Sequence, residues 1–127
     1  MDLLYQEKID QIKDCPNNQK MGEIKLYRWI DKNNLENAYL PQGFKEKFKD
    51  NCEAWGLSVY NSEKEAKQVL KNLSVGFQKK FNAISFCNIK DEFGIKHQSG
   101  TNQNHYTFYP AKEFDIINNF QIIENEK

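Results

Sequence analysis

Four residues in this chain carry side chains suited to gripping or transforming a charged ligand: Arg28, His97, His105 and Tyr109. Arg28 is the only arginine beside seventeen lysines, and it sits in "LYRWI" between Tyr27 and Trp29. Fifteen asparagines accompany those lysines, a composition expected of AT-rich codons, which favour lysine over arginine. A guanidinium kept against that bias points to work an ammonium does poorly: a planar, bidentate contact to a carboxylate or phosphate, or stacking on an aromatic face. Its alternating neighbours Ile24, Leu26 and Ile30 put it on an aliphatic strand face, where it needs a partner because an unpaired buried charge costs several kcal/mol. Glu36, Asp50 and Glu53 are the candidate acids, and Tyr27, Trp29 and Trp55 the candidate stacking surfaces. An anion or phosphate clamp is the alternative to a structural ion pair.

The only two histidines stand at the ends of "HQSGTNQNH". If "GIKHQ" and "HYTFY" form a hairpin closed symmetrically by that loop, His97 lies opposite His105 on one face. Their Cβ atoms are then roughly 4.5–5.5 Å apart. The same register sets Thr107 against Ile95 and Tyr109 against Phe93, which places the imidazoles at the mouth of an aromatic stripe. Paired imidazoles near an arginine suit three tasks: acid–base exchange in phosphodiester cleavage, capture of an anion, or metal binding with a third residue. They also suit the plainer task of flanking a hairpin turn. The small polar residues of "SGTNQN" offer backbone N–H groups to an anion or serve as a solvated turn.

The elements that must position these residues follow from periodicity. Leu3, Leu4, Ile9 and Ile12 predict an amphipathic helix over residues 3 to 13, ended by Cys15-Pro16. Residues 23 to 30 and 55 to 60 alternate as strands. Phe44 and Phe48, four apart beyond "YLPQG", suggest a short helix, and "FKEKFKDN" reads as its solvated face because Glu46 and Asp50 offset the lysines. Ser62 and Glu65 have capping-box spacing ahead of Ala66, Val69, Leu70 and Leu73, which predicts a helix. From residue 81, "FNAISFCNIK", "FGIKHQ", "HYTFY" and "FQII" predict four short strands in a mostly antiparallel meander. The expected fold class is α+β: one domain over residues 1 to 127, with helices packed on a mostly antiparallel sheet that ends in a C-terminal meander.

Composition limits the function. Among 127 residues, eighteen basic side chains balance eighteen acidic ones, so no net field draws nucleic acid or an anionic membrane. The N-terminal "MDLLYQEKIDQIKD" lacks the apolar core of a secretory signal, and no run is long enough to span a bilayer, which sets a cytoplasmic location as the expectation. Cys15, Cys52 and Cys87 are odd in number and widely spaced, a pattern that fits reduced thiols. No pair has zinc-ligand spacing, and a metal site assembled from Cys52, Cys87 and a histidine is the lesser alternative. No metal or cofactor is expected.

The order of an Arg-aromatic strand, then "CEAWGLSVYNS" leading into a helix, then "HYTFYP", resembles a set of small uncharacterised prokaryotic proteins; that resemblance implies no activity. A second similarity is to the ADP-ribosyltransferase pattern of a strand arginine, a serine-bearing strand and a late acidic residue, with Arg28 and Ser58 at the first two positions. "QNHYTFY" has no acid for the third. In layout alone, helices followed by His- and Tyr-bearing strands resemble small endoribonuclease toxins.

The sequence therefore predicts a small binding or interaction module with a polar pocket for an anionic or nucleotide-like ligand, built from Arg28, His97, His105 and Tyr109. Its partner is expected to be a small anionic ligand or another protein, with neither nucleic acid nor membrane. The alternative is an enzyme, ribonuclease-like or nucleotide-modifying, of the kind used as a toxin or defence component.

Overall fold

The computed structural model describes residues 1–16 and 18–123. Its centre is one six-stranded antiparallel sheet made of β1 (Ile24–Ile30), β2 (Leu57–Tyr60), β3 (Ala83–Ile89), β4 (Gly94–Gln98), β5 (His105–Pro110) and β6 (Gln121–Ile122), in the order β4-β5-β2-β1-β3-β6. The class is the α+β one expected from the sequence. The four C-terminal strands do not stay together as a meander, however. β4 and β5 pair with each other, whereas β3 lies across the sheet between β1 and β6.

Side-chain alternation gives the sheet two apolar faces. Leu26, Ile30, Leu57, Val59, Cys87, Ile89, Tyr106 and Phe108 form the larger core, closed by Tyr39, Ile116 and Phe120. These last three come from the ends of α2 (Leu35–Ala38) and from α5 (Ile116–Asn119) with its C-terminal neighbour. The opposite face carries two separate clusters. Tyr60 and Ile84 pack with Ala66 of α3 (Glu63–Lys71), and Tyr109 packs with Leu3, Ile9 and Trp55. Between those clusters the face is polar.

The Ser62 cap is present, its Oγ accepting from Glu65 N at 3.2 Å, and α3 buries Ala66 as its spacing requires. A further short helix, α4 (Val75–Lys80), has no counterpart in the sequence reading. The N-terminal helix is much shorter than expected: α1 spans Gln6–Asp10, because Leu3 leaves helical geometry to bridge Ala111 at the end of β5. Leu4 N donates to Pro110 O, and Lys112 N to Asp2 O. Phe44 and Phe48 lie in two 3-10 turns, Gln42–Phe44 and Glu46–Phe48, and Trp55 ends a third rather than starting β2.

The cysteine expectation is corrected. Cys15 and Cys52 form a disulfide, and Cys87 is the free, buried thiol. Their separation of 37 residues hides the pair in the sequence; the packing of Ile9 and Ile12 near Trp55 brings it together. Cys52 is thereby removed from any metal-ligand set. No helix among the described residues is long and apolar enough to cross a membrane.

Candidate functional site

The pairing of β1 with β2 is confined to Tyr27↔Tyr60. Towards Ile30 and Leu57 the two strands part, and the opening has to be satisfied by side chains because a buried carbonyl without a donor is costly. Arg28 does this. Its Nη1 donates to Ser58 O at 2.9 Å and its Nε to Ala38 O at 3.0 Å. The guanidinium carbon lies 6.0 Å from the Tyr39 ring, so the stacking partner is Tyr39 rather than Tyr27, Trp29 or Trp55.

No carboxylate among the described residues comes within 4.0 Å of Arg28, so the expected ion pair with Glu36, Asp50 or Glu53 is not formed. Burial pulls the guanidinium down to about 10, which leaves it cationic at neutral pH. Nη2 has no protein partner among the described residues. No buried side-chain nitrogen among the described residues is left unpartnered, and Arg28 borders an open space.

That space is a cleft of about 260 Å³ at the parting of the strands. Arg28, Ser58, His105, Thr107 and the Glu53 carboxylate supply polar groups to its lining, and Trp29, Phe81 and the Leu40–Gln42 segment line it as well. Gly56 lies in the floor, where a Cβ would stand 2.4 Å from Thr107 Cγ2, so the close approach of this turn to β5 needs glycine. A larger depression of about 650 Å³ near Asp2, Lys112 and Asp115 gathers no comparable set of groups.

Within the cleft, Ser58 Oγ lies 2.6 Å from His105 Nε2. On the far side of the ring, Nδ1 is 3.1 Å from Ser99 O and 3.0 Å from Ser99 Oγ, which in turn is 2.7 Å from Thr107 Oγ1. A carbonyl only accepts, so Nδ1 carries the proton and Nε2 presents its lone pair to the Ser58 hydroxyl. Burial lowers the His105 pKa, opposed by the Ser99 carbonyl, and favours this neutral form. The ring of Tyr60 meets His105 edge-on at 5.1 Å and fixes its plane.

The four residues singled out from the sequence divide into two pairs. Arg28 and His105 line the cleft. His97 and Tyr109 do not: both are buried, and their rings stack at 5.6 Å. His97 Nδ1 donates to Gln98 O at 3.0 Å, and Tyr109 OH lies 3.3 Å from Cys52 Sγ. Burial pushes the Tyr109 hydroxyl pKa strongly up, as befits a packing residue.

The facing-histidine register is corrected as well. His97 pairs with Thr107 and Ile95 with Tyr109, two residues away from the symmetric arrangement. The slip is even, so both imidazoles stay on one face, but Ser99 is the residue opposite His105, its N donating to His105 O at 3.0 Å. The "SGTNQN" loop is a turn held by its own groups. Gln98 Nε2 donates to the carbonyls of Ser99, Gly100 and Asn102, and Asn102 Nδ2 donates to Glu65.

Ser58, Ser99, Thr107 and Gly56 are site residues that the pocket inferred from sequence omitted. One signal was available for Ser58: it is the polar residue between Leu57 and Val59, hence on the face opposite the main core. The chain matches no protein-family model, no curated protein and no solved structure.

Proposed function

We propose that the cleft binds a small ligand through an anionic group, a phosphate or carboxylate, held by Arg28. The observation that carries this reading is a partly buried guanidinium that lines the cleft and whose protein partners among the described residues are two carbonyls rather than a carboxylate. An anion there would supply the countercharge that no described carboxylate provides within 4.0 Å of Arg28, through a charge-assisted hydrogen bond to the guanidinium edge that the two carbonyls leave free. Trp29 and Phe81, their rings tilted by 49° at 5.7 Å, offer aromatic surface for the rest of the ligand, which suits a nucleotide-like molecule or a fragment of one.

A second reading, a nucleotide-modifying enzyme, is favoured by the contact between Arg28 and Ser58, the two positions that resemble the ADP-ribosyltransferase pattern. His105, rather than an acidic residue, stands against Ser58. The expected cytoplasmic location sits poorly with the Cys15–Cys52 bridge, which an oxidising compartment would preserve.

Calorimetric titration with inorganic phosphate, pyrophosphate and adenosine monophosphate tests the proposal. At least one should bind, and Arg28→Lys should weaken it about tenfold or more, since lysine keeps the charge but not the fork. Binding unchanged by Arg28→Lys, or no binding of any of the three, would overturn it.

A further inference from the structure

We propose that Ser58 is a nucleophile, with His105 as its general base and the Ser99 main-chain carbonyl as the group that orients the imidazole, so that the cleft transfers acyl groups from a carboxylic ester. The assignment of Ser58, His105 and Ser99 stands on their own geometry. The substrate class, an ester bearing an anionic group, rests on the Arg28 reading above.

Three relations converge on it. The Ser58 side chain is exposed to the cleft, while its Oγ is 2.6 Å from Nε2 of a half-buried ring. The Nδ1 proton is committed to Ser99 O, which leaves Nε2 as the acceptor in the only tautomer that can take the serine proton. The orienting carbonyl is itself held, because Ser99 N donates to His105 O and Ser99 Oγ is bonded to Thr107 Oγ1 across β4 and β5. A nucleophile within hydrogen-bond reach of a base, and a base oriented by a third group, is the arrangement that serine-dependent acyl transfer requires. Arrangements of this kind recur on unrelated folds, so they are identified by geometry.

The chemistry balances without a co-reactant other than water. Ser58 Oγ forms a bond to the ester carbonyl carbon as its proton passes to Nε2 and the carbonyl π electrons move onto the carbonyl oxygen. That tetrahedral adduct collapses: the bond to the leaving oxygen breaks as Nε2–H returns its proton to the departing alcohol, which leaves an acyl-Ser58. Water then attacks the acyl carbon and gives a proton to Nε2, and Ser58 Oγ leaves and is reprotonated. The sum is ester plus water to acid plus alcohol.

A neutral alkyl fluorophosphonate, followed by mass spectrometry of the intact oxidised protein, tests the nucleophile separately from anion binding. One adduct is expected, on Ser58, absent in Ser58→Ala and formed at least about a hundredfold more slowly in His105→Gln, the usual contribution of a general base. The labelling rate should fall as pH drops and His105 is protonated, a dependence that a merely structural serine would not show. No adduct on Ser58 in protein that still binds phosphate would overturn the nucleophile and leave the Arg28 reading intact. An adduct formed equally fast in His105→Gln would overturn the base. If Arg28→Lys abolishes phosphate binding yet labels at the wild-type rate, the two assignments are independent, as proposed.

Discussion

Ser58 and His105 touch diagonally. The ladder pairs His105 with Tyr60 and Ser58 with Thr107, yet Ser58 Oγ and His105 Nε2 lie 2.6 Å apart. Diagonal neighbours in an antiparallel pair are within reach only of long or aromatic side chains, and the imidazole spans the gap because Tyr60 and Ser99 fix its tilt. Any change of register between β2 and β5 would separate them.

The first prediction concerns His105. Its folded pKa is lowered, so the unfolded chain takes up a proton more readily. The stability it contributes is therefore full above the unfolded value of about 6.5 and falls as pH drops through it towards the folded value. NMR titration should place His105 below 6.5, and added phosphate should raise it, because a bound anion favours imidazolium. A value at or above 6.5 in the free protein would contradict the buried, neutral ring.

Thiol chemistry gives the second. Unfolding without reductant should expose one reactive thiol, Cys87, and unfolding after reduction should expose three. Replacing Cys15 and Cys52 with serine should lower unfolding stability by about 2–4 kcal/mol. Three thiols without reductant would mean that the bridge is not formed.

Lys96 supplies the third. Its side chain is fully buried, and Nζ meets Asp91 Oδ1 at 2.9 Å while Asp91 also accepts from Gly22 N. The hydrogen bond from Lys96, then that from Gly22, lowers the Asp91 pKa below its ordinary 3.8. The stabilisation is therefore complete above that value and is lost as pH falls through the folded one. Asp91→Asn should lower the melting temperature more than Lys96→Met does, since it strands a buried ammonium. Equal shifts in thermal melts would show that the pair does not matter.

Gly56 supplies the fourth. Gly56→Ala forces a methyl against Thr107 Cγ2, Phe108 O and the Tyr109 ring, and should cost about 1–3 kcal/mol in denaturant unfolding. By displacing Thr107 it should also loosen the Ser99 hydroxyl and slow Ser58 labelling. Unaltered stability and labelling would mean that the floor is more compliant than its spacing implies.

Much of the local structure was legible in the sequence because it is encoded locally. β1 follows from the alternation of Ile24 to Ile30, and α3 from the Ser62–Glu65 box. The β4–β5 hairpin is announced by two β-rich runs around polar residues, but its register is not. The two flanking histidines look symmetric, whereas the turn is set by Gln98 reaching into the loop and by His105 N donating to Asn102 O. Arg28 was recognisable as exceptional, although its carbonyl partners were not, because nothing local says that β1 and β2 will part. Ser58 and His105 lie 47 residues apart on strands that are not consecutive, and no short motif marks such a meeting. The 37-residue disulfide was hidden in the same way.

The strand order also makes the chain divisible. Arg28 and Ser58 lie before the stretch between Asn72 and Asn82, where Val75 and Phe77 are exposed, and Ser99, His105 and Thr107 lie after it. A cut in that stretch would leave the cleft's polar groups on two fragments, with the pairings of β1 with β3 and of β2 with β5 as the seams that rejoin them. Fragment complementation should therefore report on this fold. Neither half alone should react with fluorophosphonate, and mixing them should restore labelling of Ser58 only when the two seams have closed.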